Sequence, residues 1–286
     1  MLKVEFGLCL KSMRKLCKED AMSTIKITGK VNSAICYAKV VEEEALDQIK
    51  RMCDSPMSEG SKIRIMPDVH SGKGCTIGTT MTITDKVVPN VVGVDIGCGM
   101  LTVNLGKIDI DFKKLDEVSH YIPSGTNVWK LDDKVPNFLS WDETTEVFDI
   151  TNLACYDELQ NVDRLNRSLG TLGSGNHFIE VDESSKGEKY LIIHTGSRNI
   201  GKQVAEIYQR KAIELARGRG DDIPDELCYL DGVYLKDYLH DIEICQNFAK
   251  RNRVKISEII YSMTGIPGGM AFHTIHNYID AKEMIL

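Results

Sequence analysis

Between Val87 and Leu105 the chain reads VVPNVVGVDIGCGMLTVNL, a nearly continuous apolar run of the kind a buried strand requires. Gly93, Gly97 and Gly99 interrupt it so closely that a regular strand cannot persist through DIGCG, and glycines at that spacing signal a bend with close backbone approach. A strand pair follows downstream, HFIEV and KYLIIH, joined by the polar hairpin DESSKGE. Upstream, IKITGKV reads as a short strand, and IRIMPDVHSGKGCTIGTTMTIT as two strand-like runs around a glycine-rich turn.

Helical spacing surrounds these strands. AKVVEEEALDQIKRMCD carries its acidic residues early, where a helix dipole favours them, and FKKLDEVSHYI, NVDRLNRSLG and KQVAEIYQRKAIELAR repeat apolar residues at helical intervals. VYLKDYLHDIEICQNFAKRNRVKISEIIYSM predicts a long helix that TGIPGG breaks, and the polar region near residues 124–145 reads as a mobile loop. With no internal repeat and no clear linker, the pattern predicts an α+β fold: one mixed domain over residues 1–286 with central β-sheets flanked by helices. The chain ends on AKEMIL, an apolar run without a polar tail, which suggests either a buried terminal strand or a lost further segment.

Composition removes several classes. No run of about 18 apolar residues exists for a transmembrane helix, and the N-terminus lacks a secretory h-region and cleavage site, so a cytoplasmic location is expected. Nine cysteines without CxxC pairs read as reduced thiols. A net charge of −7 argues against a generic nucleic-acid binder, although bound divalent cations reverse the local sign whatever the global balance.

Five residues stand apart in short apolar strands or glycine-rich turns: Asp95 and Cys98 in DIGCG, His177 after GSGN, His194 at the end of YLIIH, and His276 opening HNYID. Taken singly, Cys98 reads as a small buried hydrophobe and each histidine as a satisfied core residue. Together, a carboxylate, a thiolate and three imidazoles are the mixed ligands that a divalent transition metal prefers, and five exceed what one tetrahedral ion needs, which suits two ions sharing the thiolate. Arg198 in HTGSRNIG is placed either for a forked phosphate contact or as a solvated surface arginine. Asn176 and Asn277 adjoin ligands, while Glu180 taken alone reads as an exposed strand residue. His70 and Lys73 lie in PDVHSGKG, which lacks the GK[ST] ending and following helix of a phosphate-binding P-loop.

In order, MPDVHSGKGCTIG, VVGVDIGCGM, LGTLGSGNHFIEV, HTGSRNIG and IHNYID resemble the signature segments of the RtcB family of RNA ligases, over most of residues 60–286. The chain's short length resembles the compact bacterial branch. The resemblance implies an RtcB-like fold and a GTP- and Mn2+-dependent ligase that joins an RNA 3'-phosphate or 2',3'-cyclic phosphate end to a 5'-hydroxyl end, as in RNA repair or tRNA splicing. It implies that Asp95, Cys98, His177, His194 and His276 hold two manganese ions with Cys98 bridging. It further implies that Asn176 and Asn277 contact nucleotide phosphates, that Glu180 contacts guanine, and that Arg198 lies near the RNA phosphate.

Two elements of the family pattern are missing: the C-terminal HGAGR-type segment with its guanylylated histidine, and the arginine-lysine-glycine segment expected after IHNYID. The chain is therefore expected to be C-terminally truncated, to lack the catalytic nucleophile, and not to complete ligation alone. The alternatives are a metal-dependent phosphoesterase acting on RNA ends and a non-catalytic metal- or RNA-binding module.

Overall fold

A computed structural model describes residues 24–72, 74–130 and 149–286. The expectations for the N-terminal twenty residues, for Lys73 and for residues 131–145 of the polar region lie outside the described residues. Contacts divide the chain into two compact units, residues 1–84 and 85–286.

In the first unit, β1 (Ile25–Thr28), β2 (Ser33–Cys36), β3 (Ile63–His70) and β4 (Ile77–Met81) form a sheet in chain order. β2 and β3 run parallel, with the other two pairs antiparallel. A parallel pair needs a crossover, and α1 (Glu43–Asp54) supplies it. Its inward face is Ala45, Gln48, Ile49, Met52 and Cys53, one stripe at helical spacing, and Glu43 and Glu44 sit in the first turn.

The second unit is built on a four-stranded antiparallel sheet in the order β6-β7-β5-β8. Its strands are β5 (Gly99–Gly106), β6 (Phe178–Glu183), β7 (Lys189–Thr195) and β8 (Met270–Ile275). Burial alternates along β5, as the strand period of two requires. Leu101, Val103 and Leu105 face a core completed by Leu191 and Ile193 of β7, Val118 and Ile122, and Ile256, Ile259 and Ile260. Val118 belongs to α3 (Phe112–Tyr121), and the three isoleucines belong to α6 (Gly232–Thr264). The register places Met100, His194 and Phe178 opposite one another on the other face, with Thr102, Ile192 and Glu180 one pair further along. The short α4 (Val162–Asn166) precedes β6, and α5 (Arg198–Arg219) follows β7 after a short turn. Buried Asp241 of α6 accepts the Ala154 and Cys155 amides at 2.7 and 3.1 Å and the Tyr208 hydroxyl of α5 at 2.8 Å, tying three segments together. Among the described residues no helix is long and apolar enough to cross a membrane.

The α+β class and the long helix agree with expectation. Three local features differ. VVPNVV is not strand at its start: Pro89–Val92 form a one-turn helix, α2, because proline at the first helical position presets φ, and the strand begins only at Gly99. The described part of the polar region, residues 124–130, is tied down, since Trp129 is buried and donates its indole N–H to the Leu169 carbonyl at 2.9 Å. AKEMIL forms turns closed by pairing of Asp280 with Ile285, and the strand lies earlier, in MAFHTI.

Candidate metal centre

The five donor side chains come from one end of the second unit's sheet. Asp95 and Cys98 stand on the bend between α2 and β5, His177 just before β6, His194 near the end of β7, and His276 just after β8. The bend is held from several sides. The Ser197 hydroxyl donates to Ile96 O at 2.5 Å, Gly97 N donates to Asn277 O at 2.7 Å, and His276 N donates to Cys98 O at 3.0 Å. Glycine is required where these segments meet. A Cβ on Gly196 would occupy the place of the Asp95 carboxylate, and one on Gly173 that of the Arg198 guanidinium and the His177 ring.

Cys98 Sγ lies 3.3 Å from His194 Nε2 and 3.5 Å from His177 Nε2. Asp95 Oδ2 lies 2.9 Å from His177 Nε2, and the Nε2 atoms of His194 and His276 are 3.3 Å apart. Two donor sets result, Asp95–Cys98–His177 and Cys98–His194–His276, each with its ligand atoms within 4.8 Å of one another. The sulfur belongs to both.

Hydrogen bonding sets the ring orientations. His177 Nδ1 faces Leu172 O at 3.0 Å and His194 Nδ1 faces Asn176 O at 2.9 Å. A carbonyl only accepts, so each Nδ1 carries the proton and each Nε2 turns a lone pair inward, the arrangement of metal-ligating histidines. His177 Nε2 and Asp95 Oδ2 then face each other as two acceptors, which requires a proton or a metal ion between them. The residues fit a divalent ion in each set.

Electrostatics agree. Burial lowers the His194 and His276 imidazoles below their ordinary value, keeping them neutral at pH 7. Burial also opposes the Asp95 charge, yet a proton held between Asp95 and His177 in the metal-free site outweighs it and keeps the carboxyl below the usual range, the place a cation would take over. Burial, with Asp95 adding to it, pushes the Cys98 thiol up, so a cation must displace its proton.

The remaining predicted residues take different places. The Arg198 guanidinium is half-buried: its Nε donates to Thr171 Oγ1 at 2.9 Å and its Nη2 to Gly125 O at 2.8 Å, on a backbone at φ 59°. It is not a solvated surface arginine. Asn277 Nδ2 reaches Asp95 O at 3.4 Å. Asn176 contributes its carbonyl to His194 while its side chain is exposed, and Glu180 is exposed on the sheet face that carries His194. Sequence reasoning missed Asn252, Arg253 and His273, which lie behind the site. The signal was present: Asn252 and Arg253 continue, at steps of four, the buried stripe of Phe248, Ala249 and Ile256, although KRNRVK reads as a solvated charge run.

Comparison with known proteins gives the family of the chain. A family model described as tRNA-splicing ligase RtcB matches residues 48–283. The RNA-splicing ligase RtcB of Escherichia coli K12 is 29% identical over 270 residues, covering 85% of this chain and 65% of that protein. The tRNA-splicing ligase RtcB of Nanoarchaeum equitans is 30% identical over 274 residues, covering 77% and 55%, and that of Methanococcus maripaludis is 29% identical over 282 residues, covering 82% and 58%. The chain thus spans between 55% and 65% of the length of these relatives. A family model matched over residues 48–283 of 286 leaves no doubt about kinship: the chain belongs to the RtcB family.

Proposed function

We propose that the protein serves the sealing of RNA ends, joining a 3'-phosphate or 2',3'-cyclic phosphate to a 5'-hydroxyl with Mn2+ and GTP as cofactors. The observation that carries this reading is the convergence of Asp95, Cys98, His177, His194 and His276 on one sulfur, in a chain of the RtcB family. In this reading Asp95, Cys98 and His177 hold one ion, and Cys98, His194 and His276 hold the other. Bound there, the ions supply the positive charge that a transferring phosphoryl group needs.

The chain's own residues do the rest of the positioning. His177 and His194 present fixed lone pairs because their Nδ1 protons are committed to carbonyls. Arg198, anchored by Thr171 and Gly125, sets a positive charge beside Asp95, where an RNA phosphate is to be received. The amides of Asn176 and Asn277 donate to nucleotide phosphates, and the Glu180 carboxylate accepts from the N–H edge of guanine. The place of work is the cytoplasm, in keeping with seven free cysteines among the described residues.

RNA with a 2',3'-cyclic phosphate end, a 5'-hydroxyl acceptor, Mn2+ and labelled GTP test the reading. The 286-residue polypeptide is expected to bind Mn2+, with binding lost on Cys98→Ala. Joining of the two ends is expected where the family's guanylylated histidine is present, with Mn2+ and GTP both required. Opening of the cyclic phosphate without joining, lost on Cys98→Ala, would make the protein a phosphoesterase, and tight RNA binding indifferent to metal would make it a binding module.

A further inference from the structure

Two adjacent polar residues in the middle of α6, Asn252 and Arg253, are both 0% exposed. Their neighbours on the same stripe are Phe248, Ala249, Ile256 and Ile260, so an apolar pair would have continued the core. Burying an amide and a guanidinium is costly unless their hydrogen bonds do something that apolar packing cannot. What those bonds reach is specific.

Arg253 Nη1 donates to Gly97 O at 2.9 Å, between Asp95 and Cys98, and to Thr195 O at 2.8 Å, next to His194. Its Nε donates to His273 Nδ1 at 3.4 Å, on the strand that leads to His276. Asn252 Oδ1 accepts the Gly170 and Thr171 amides at 2.7 and 3.2 Å, while its Nδ2 donates to Thr171 O at 3.1 Å and Gly196 O at 3.2 Å. Nδ2 also reaches Thr195 Oγ1 at 3.3 Å, and that hydroxyl donates to Leu172 O at 2.6 Å, the carbonyl that orients His177. The helix docks directly on the bend, since a Cβ at Gly97 would lie 2.9 Å from Ala249 Cβ. Every segment bearing a donor is therefore tied, directly or through one intermediate group, to two consecutive residues of one helix.

We infer that Asn252 and Arg253 are positioning residues of the metal centre, a buried polar pair that fixes the donor-bearing segments in their converged geometry before an ion arrives. The inference rests on the metal-centre reading of the site. Burial brings the Arg253 guanidinium down to about 10, which leaves it charged at neutral pH. The planar fork is what matters: one nitrogen spans two carbonyls, one on the bend before β5 and one at the end of β7, while a second engages β8. Lysine retains the charge but not the fork.

Cobalt(II) titration of the whole chain tests this, with thiolate-to-cobalt absorption reporting Cys98 and urea unfolding of the metal-free protein reporting the fold. Arg253→Met is expected to unfold cooperatively, to bind cobalt about ten- to a hundred-fold more weakly and to change the visible cobalt bands, with Arg253→Lys recovering only part of the loss. Variants whose urea midpoint falls while the affinity and spectrum of the folded protein stay at the wild-type values would overturn the inference. So would failure of both variants to fold cooperatively, because the pair would then be holding the fold and not the site. Absence of cobalt binding by the wild-type chain would instead sink the metal-centre reading itself.

Discussion

At the scale of single residues, the shared sulfur decides how substitutions should separate. Cys98 belongs to both donor sets, while His276 belongs to one. Cys98→Ala is expected to abolish binding of both ions, and His276→Ala to leave one, as metal-to-protein ratios from elemental analysis after desalting will report. Protons compete in a direction the site dictates. His194 and His276 lie below their ordinary value and are neutral at pH 7, whereas the Cys98 thiol is raised and still protonated there. Binding must release the thiol proton, so affinity should rise by about tenfold per unit between pH 7 and 8. Equal heats of cobalt binding in buffers of different ionisation enthalpy would contradict this. The convergence of the five side chains was legible because carboxylate, thiol and imidazoles stood in glycine-punctuated or strand-ending apolar text. Asn252 and Arg253 were not, because their basic neighbours Lys250 and Arg251 disguise two inward positions as a surface run.

At the scale of elements, the pairing of β5 with β8 places His276 within reach of Cys98. Gly99 lets the strands approach, since a Cβ there would run into the Thr274 carbonyl. Gly99→Ala is expected to cost about 1–3 kcal/mol in urea unfolding and to speed amide exchange across residues 270–275. On β8, burial and nearby Arg253 and Lys250 push His273 down to about 4. A folded value below the unfolded one makes its contribution present above about pH 6.5 and lost as pH falls towards 4. His273→Gln should therefore flatten the loss of stability over that interval, as urea midpoints across pH will show. β8 itself went unread in MAFHTI, where Met270 at 82% and Phe272 at 57% exposure give no inward alternation to announce a strand. Pro89 likewise turned an apolar run into a helical turn, a local rule outweighing a longer pattern.

At the scale of the whole molecule, every candidate metal donor lies within residues 85–286, together with the core that supports the sheet. A polypeptide of residues 85–286 is expected to fold and to bind cobalt with the same spectrum as the full chain, and loss of the thiolate absorption in that fragment would count against it. The antiparallel sheet of this unit sends its donors to one end, and the β6–β7 hairpin closes at the other through Ser184–Glu188. Six residues of extended chain separate that turn from His177 and five separate it from His194, roughly 17–20 Å at the usual strand rise. The hairpin tip is thus an insulated address on the molecule, where a fluorophore, an epitope or a tether can be spliced in while the chemistry at the opposite pole carries on undisturbed.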